Sequence, residues 1–318
     1  MKIAVVILNW NGKKLMEQFL PSVIRFSTEA DIYVIDNAST DDSVKFLSEN
    51  HPEINIVRLD QNYGYAGGYN RGLQQIPADI YALINSDLEV SENWLKPVIK
   101  EFENQSGTAI IQPKIKDFKN KKMFEYAGAA GGFLDLFGYP YCDGRILNKI
   151  EEDKGQYDRQ KEIFWASGAC LFIRKKTFDE LKGFDEKFFA HQEEIDLCWR
   201  AHHRQKKAIY IPQSVVYHVG GASLNKQSPF KTYLNFRNNL IMLLKNLPAS
   251  LIFPVIFSRL ILDGLAGIGF LIQARPKHTW AIVKAHFGFY KRIPYALKNR
   301  PEKPVKQYYN SFSIFFKK

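Results

Sequence analysis

At 318 residues and a formal net charge of +11, the chain is longer than a single hydrophobic core usually serves, so one large domain with an appendage is expected. The charge sits unevenly: residues 225–318 hold 16 Lys and Arg against only Asp263 and Glu302, a balance of +14, so residues 1–224 sum to −3, which excludes a basic N-terminal domain and favours an anionic partner for the tail. Cys142, Cys170 and Cys198 are odd in number and widely spaced, with no Cys-x-x-Cys or Cys/His ligand spacing, which excludes a disulfide framework and a zinc site and predicts reduced, buried thiols.

Ile3–Leu8 is an uninterrupted β-rich run, too short for a signal peptide and without a small-residue cleavage site, so a cytoplasmic protein is expected. The turn Asn9-Trp10-Asn11-Gly12 follows, and then an apolar periodicity at Leu15, Phe19, Val23 and Phe26 that predicts a helix. Ile32–Ile35 repeats the strand, with a helix after Ser39-Thr40-Asp41-Asp42, and Ile54–Leu59 and Ile80–Ile84 repeat it again. Strands alternating with helices predict an α/β domain with a mainly parallel sheet covered on both faces. From Lys114 to Gln160 the pattern turns irregular and predicts a long loop folded over the sheet edge, of a kind more often functional than decorative. A second apolar run, Ala169–Ile173, follows Trp165-Ala166-Ser167-Gly168, and a helix is predicted from about Glu193 to His203.

Leu247–Ile272 is strongly apolar but is broken by Pro248, Pro254, Arg259 and Asp263. Two charges at i, i+4 argue against a membrane span. The expectation is an amphipathic helix or helical hairpin lying in the membrane interface, flanked by Trp280, Phe287, Phe289, Tyr290 and many lysines; an ordinary helical subdomain packed on the core is the alternative. The basic, aromatic end Tyr308–Lys318 favours the membrane. A nucleic-acid partner is set aside, because a nucleic-acid arm has no need of Leu251–Ile272. Residues 1–224 are thus expected to form one domain and 225–318 a basic, apolar helical region.

Asn85-Ser86-Asp87 directly follows the run Ile80–Ile84. A carboxylate at the C-terminal end of a buried parallel strand lies where an open α/β sheet binds its ligand, and its hard oxygens suit a divalent cation carrying a diphosphate; the plainer reading is a cap on the helix beginning near Ser91. Asp36 ends the second strand, where it either reads a nucleobase imide or ribose hydroxyl or makes an Asx turn. Asn62-Tyr63-Gly64-Tyr65-Ala66-Gly67-Gly68-Tyr69-Asn70 is a glycine-rich segment entering a helix, whose free amides suit phosphate. No Gly-x-Gly-x-x-Gly follows the first strand, which counts against a nicotinamide dehydrogenase.

Taken in order, Ile7-Leu8-Asn9-Trp10-Asn11-Gly12, Asp36-Asn37-Ala38-Ser39-Thr40-Asp41, the Asn62–Asn70 segment and Asn85-Ser86-Asp87 resemble the family 2 glycosyltransferases, particularly their rhamnosyltransferase-like branch. Trp165-Ala166-Ser167-Gly168-Ala169, Gly183–Phe189, Glu193–Arg200 and His218 extend the resemblance over about the first 225 residues. It implies a GT-A fold, the Rossmann-like fold of nucleotide-diphospho-sugar transferases. It further implies transfer of a sugar, with inversion, from a nucleotide-diphosphate donor to a hydroxyl of a glycan or lipid-linked acceptor in cell-surface polysaccharide synthesis. Carried over residue by residue, it implies donor binding by Asn9, Asp36, Asn62, Gly67, Asn70, Asn85, Asp87, Trp165 and Gly168, with Asp36 on the base and Trp165 either stacked on the sugar or anchored in the core. Asp87 and His218 would hold Mg2+ or Mn2+, and His218 is otherwise a core histidine at a strand end.

By the same resemblance Glu194 would be the general base, with Glu193 and Asp196 as lesser candidates; Asp196 also stands at i, i+4 from Arg200, a spacing for an ion pair. Two positions depart from the family pattern: Asn85 replaces the first acid of Asp-x-Asp, and Glu194 replaces the Asp of Glu-Asp. They motivate the alternative of a non-catalytic nucleotide-sugar-binding protein of a glycan assembly complex. The implied location is cytoplasmic, peripheral at the inner face of the cell membrane through the C-terminal region.

Overall fold

The computed structural model describes residues 1–220, 228–305 and 313–314. The chain opens with three strand–helix units: β1 (Ile3–Asn9), α1 (Lys13–Phe26), β2 (Asp31–Asp36), α2 (Ser43–Asn50), β3 (Asn55–Arg58) and α3 (Gly64–Leu73). Next come β4 (Ile80–Ile84), β5 (Leu88–Val90), α4 (Leu95–Asn104) and β6 (Thr108–Asp117), then the short strands β7 (Gly132–Leu134), β8 (Pro140–Cys142), β9 (Arg145–Ile146) and β10 (Lys149–Ile150). After β11 (Lys161–Ile163), β12 (Cys170–Arg174), α5 (Lys175–Glu180), α6 (Glu193–His203) and β13 (Lys207–His218), the chain ends in helices α7 (Pro229–Asn246), α8 (Ala249–Ile272), α9 (Pro276–Tyr290) and α10 (Ile293–Lys298).

The main sheet runs β11-β13-β6-β12-β4-β1-β2-β3, with β5 added to β13. It is mixed: β4, β1, β2 and β3 are parallel, while β12 lies antiparallel between β4 and β6. Alternate residues of β1 enter two cores. Ala4 and Val6 pack on the side of α3 and α6, and Ile3, Val5 and Ile7 on the side of α1 and α4. Burial on both faces explains why these strands read as continuous apolar runs. Because β1, β2 and β4 are parallel neighbours, their C-terminal ends bring Asn9, Asp36 and Asn85-Ser86-Asp87 to one edge.

The segment expected as a long loop holds instead the end of β6 and a second sheet, β10-β9-β8-β7. Strands of two or three residues carry no readable periodicity, and Gly131, Gly138 and Gly144, with φ of 99°, 74° and 85°, make the bends between them. The three cysteines are free and buried, as expected.

The division expected at 224/225 falls within residues 221–227, outside the described residues. Beyond it, the helices share the sheet's core. From Arg237 to Pro248 every residue of and just after α7 is buried, the mark of a helix enclosed on all sides. Leu240, Ile241, Leu243, Val255, Phe289 and Ala296 belong to the same cluster as Ala4, Val6 and Leu197. Phe289, expected to flank a membrane helix, lies on the inner face of α9 with Ala281, Ile282 and Ala285.

α8 is continuous through Pro254. Its two charges do not interrupt its apolar face, because Val255, Arg259, Asp263 and Gly267 form one inward stripe at four-residue spacing. Arg259 pairs with Asp263 at 3.5 Å and lies 3.7 Å from the Tyr139 ring centroid, and Asp263 also meets His286 at 3.2 Å. The opposite stripe, Phe253, Phe257, Ile261, Leu265, Ile268 and Ile272, is exposed, from 51% at Ile261 to 81% at Ile272. The segment Tyr308–Lys318 lies outside the described residues apart from Ser313 and Ile314.

Candidate active site

At the sheet edge Asn9 donates through Nδ2 to Asp36 Oδ1 at 3.3 Å and to Ser39 Oγ at 3.0 Å, and Ser39 N–H donates to Asp36 Oδ2 at 3.2 Å. Asp36 is therefore held in an Asx-type turn at the end of β2 with its carboxylate fixed in direction. Asn9 Oδ1 is buried and has no hydrogen-bond partner among the described residues. Asn62 Oδ1 accepts from Asn37 Nδ2 at 3.0 Å and from Gly64 N–H at 2.8 Å, so it closes the loop over this edge. Asn37, which sequence reasoning left among the motif residues without a role, is the partner that fixes it.

Several expected donor contacts have other work. The Asn70 amide is used within the protein: Oδ1 accepts from Phe184 N–H and Nδ2 donates to Phe184 O, both at 2.8 Å. Gly67 and Gly68 lie inside α3, where an added Cβ would come within 2.9 Å of Tyr63 Cβ and 2.8 Å of Leu8 Cδ1 respectively. Close packing, and not the approach of a phosphate, requires them glycine. Trp165 is 3% exposed, donates from Nε1 to Phe133 O at 2.9 Å and packs on Gly132, so it is a core anchor and not a stacking platform.

Asp87, Asn85 and His218 converge. His218, at the end of β13, lies with Nε2 3.1 Å from Asp87 Oδ1 and 3.3 Å from Asn85 Nδ2, while its Nδ1 stands 3.4 Å from Glu125 Oε1. All three titratable groups are 5% exposed or less. Burial works against the charged imidazole, and the Asp87 and Glu125 carboxylates overcome it, raising His218 to about 10. Burial likewise pushes Asp87 up, and His218 more than offsets it, so Asp87 ends below the usual carboxylate range. Glu125 escaped sequence reading because a single acid in an irregular segment carries no pattern.

The triplet is linked to α6 through the residues just before β12. Asn85 N–H donates to Ala169 O at 2.9 Å. Tyr65 Oη donates to Gly168 O at 2.8 Å, and a Cβ on Gly168 would lie 3.8 Å from Glu194 Cγ. Gly168 thus lies against Tyr65 and Glu194, one residue before the carbonyl that receives Asn85.

Glu193 and Glu194 open α6 after an unusual approach in which Phe189, His191 and Gln192 all hold positive φ, 68°, 68° and 76°. Glu193 Oε2 and Glu194 Oε2 are buried without a hydrogen-bond partner among the described residues. Burial raises Glu194 to about 7, against the opposing pull of the amides at the helix start. Burial and the neighbouring Glu194 charge drive Glu193 well above the carboxylate range. Asp196 differs. It bonds Arg200 Nε at 2.6 Å, Lys245 Nζ at 3.0 Å and Asn246 Nδ2 at 2.9 Å. Burial opposes its charge, yet Lys245 and Arg200 hold it down at about 2. The expected pair with Arg200 is present, and Asp196 is spent on it, which removes it from the candidates for base.

The mixed, mainly parallel sheet that gathers these carboxylates at one edge is of the GT-A type. The sequence model of glycosyl transferase family 2 matches residues 4–182, and the chain belongs to that family. It is 24% identical over 247 residues to a low-salt glycan biosynthesis hexosyltransferase of Haloferax volcanii, covering 75% of this chain and 74% of that protein. It is 22% identical over 234 residues to N-acetylglucosaminyl-diphospho-decaprenol L-rhamnosyltransferase of Mycobacterium tuberculosis, covering 68% of this chain and 75% of that protein. Its fold is similar to that of GalNAc-T7 crystallised with UDP, GalNAc and Mn2+, with a TM-score of 0.62 at 15% identity over 96% of this chain and 59% of that one.

Proposed function

We propose that this chain is an inverting transferase that moves a sugar from a nucleotide-diphosphate donor to a hydroxyl of a glycan or lipid-linked acceptor in cell-surface polysaccharide synthesis. The observation that supports the reading is the placement of Glu194 against Gly168: its Oε2 is buried without a hydrogen-bond partner among the described residues, its carboxyl is raised to about 7, and the next residue, Ala169, is bonded to Asn85 of the triplet that holds Asp87. A general base is most effective when its pKa lies near the working pH. Glu194 takes the acceptor's hydroxyl proton as that oxygen attacks the anomeric carbon. The bond to the diphosphate breaks on the opposite face, so configuration inverts and nucleoside diphosphate leaves. Asn9 and Asp36 orient the nucleoside.

Asp87 and His218 would hold a divalent cation, Mg2+ or Mn2+, in exchange for the imidazole proton now shared with Asp87 Oδ1 across 3.1 Å. Among the described residues no group of three or more His, Cys, Asp and Glu converges as a complete cage, so diphosphate oxygens would complete the shell, as is usual for Mg2+. A cation held there would supply Lewis-acid stabilisation of the charge on the leaving diphosphate.

The C-terminal helices hold the enzyme at the inner face of the cell membrane. Support comes from the exposed apolar stripe of α8, continuous over its length, and from α9, whose outer side alternates Trp280 and Phe287 with Lys277, Lys284 and Lys291. Aromatic and basic residues interleaved beside an apolar stripe suit an anionic bilayer surface.

The test is release of nucleoside diphosphate from a panel of UDP-, GDP- and dTDP-sugars, with Mg2+, Mn2+ or chelator. Release from one donor that chelator stops, and that falls about 100-fold or more in Glu194→Gln and Asp87→Ala, supports the reading. Release indifferent to chelator and to both substitutions refutes it.

A further inference from the structure

The three positive-φ residues before Glu193 and Glu194 are not glycine, and such backbone persists only where its surroundings hold it. The restraint comes from α7. Asn238, fully buried, directs Nδ2 at three carbonyls of this segment: Phe188 O at 3.0 Å, Ala190 O at 2.8 Å and His191 O at 2.8 Å. Arg237 fixes which way that amide points, donating from Nε and Nη2 to Asn238 Oδ1 at 2.8 and 2.6 Å. Its Nη2 also reaches Phe188 O at 2.9 Å.

Eight residues on, the same basic–Asn pairing recurs on the same face of α7. Lys245 Nζ binds Asp185 Oδ2 at 2.6 Å and Asp196 Oδ2 at 3.0 Å, and Asn246 holds the other Asp196 oxygen. The segment carrying Glu193 and Glu194 is therefore gripped before, within and after its strained stretch by one buried helix face.

We infer that Arg237 and Asn238 are positioning residues for transfer: they impose the left-handed approach to α6 that aims the Glu194 carboxylate at the acceptor hydroxyl. The inference rests on Glu194 being the base. With the clamp in place the carboxylate is preorganised; without it, residues 189–192 relax toward ordinary φ and the base moves away from Gly168.

The experiment compares wild-type full-length protein with Asn238→Ala, Arg237→Lys and Glu194→Gln, using hydrolysis of the most active nucleotide sugar of the panel. Arg237→Lys keeps the charge but loses the fork that orients Asn238, and it serves if Asn238→Ala fails to fold. The expected result for either clamp variant is a fall in kcat of about 10- to 100-fold with donor KM within about 2-fold, and a displaced acid limb of the kcat–pH profile. A kcat loss that only tracks the unfolded fraction, with an unmoved pH profile, overturns the inference. An inactive Glu194→Gln beside fully active clamp variants overturns the clamp alone. A fully active Glu194→Gln overturns the assignment of the base itself.

Discussion

Cutting the chain after Ser228 removes α7 to α10 and tests whether those helices are an appendage or part of the fold. Leu240, Ile241, Met242, Leu243 and Leu247 are each no more than 1% exposed. At about 1.5–3 kcal/mol for each fully buried aliphatic side chain, these five alone are worth about 7–15 kcal/mol, as much as the whole net stability of a typical domain. The cut also strips Asp196 of Lys245 and Asn246, leaving a carboxylate in the core with Arg200 as its remaining partner. The truncated chain is therefore expected not to fold, and the failure reads directly in thermal melts followed by circular dichroism and in limited proteolysis. A truncated protein that melts cooperatively and still binds nucleoside diphosphate with full-length affinity would refute the shared core.

Turnover should follow the ionisation of Glu194. Its carboxyl is raised to about 7, so the base is protonated and idle below that pH; kcat rises as pH climbs through about 7 and falls about tenfold for each unit below it, a limb that stopped-flow or discontinuous assays across pH 5–9 would register. Replacing Phe253, Phe257, Ile261 and Leu265 together by Ser should leave the melting temperature and turnover on a soluble acceptor unchanged while abolishing flotation with anionic vesicles; undiminished flotation would place the membrane contact elsewhere. Gly72→Ala directs a methyl group into the Ile35 side chain, and a loss of about 1–3 kcal/mol in urea denaturation is expected from the overpacking.

The sheet was legible because its strands are buried on both faces and so announce themselves as apolar runs; Ile80–Ile84 is wholly buried and could be read as nothing else. The α1 stripe was equally plain, with Phe19 and Val23 buried where the periodicity puts them. What sequence could not give is which way a side chain faces. Arg259 and Asp263 look like interruptions of an apolar helix, yet their spacing from Val255 and Gly267 assigns them to the inner stripe, where they pair and leave the outer face clean. The insertion failed for a different reason, since strands of two and three residues are shorter than any period that could reveal them.

The site divides along the same line. Residues whose role follows from position at a strand end, Asn9, Asp36 and Asp87, lie together as their spacing demands, because parallel topology alone delivers them to one edge. Residues whose role depends on a distant partner were not settled by position: Trp165, left between sugar stacking and core anchoring, packs on Gly132, 33 residues away, and the Asn70 amide is taken by Phe184, 114 residues away. The helix α7 is the extreme case. Arg237, Asn238, Lys245 and Asn246 look in sequence like the polar flecks of a surface helix, whereas each is 5% exposed or less and is satisfied by groups some 50 residues upstream. Buried polar groups must be satisfied, so four of them on one enclosed helix face demand four fixed partners. Those partners are the backbone before α6 and the carboxylates that flank it, which makes the placement of Glu194 a property of tertiary packing and not of the motif in which it sits.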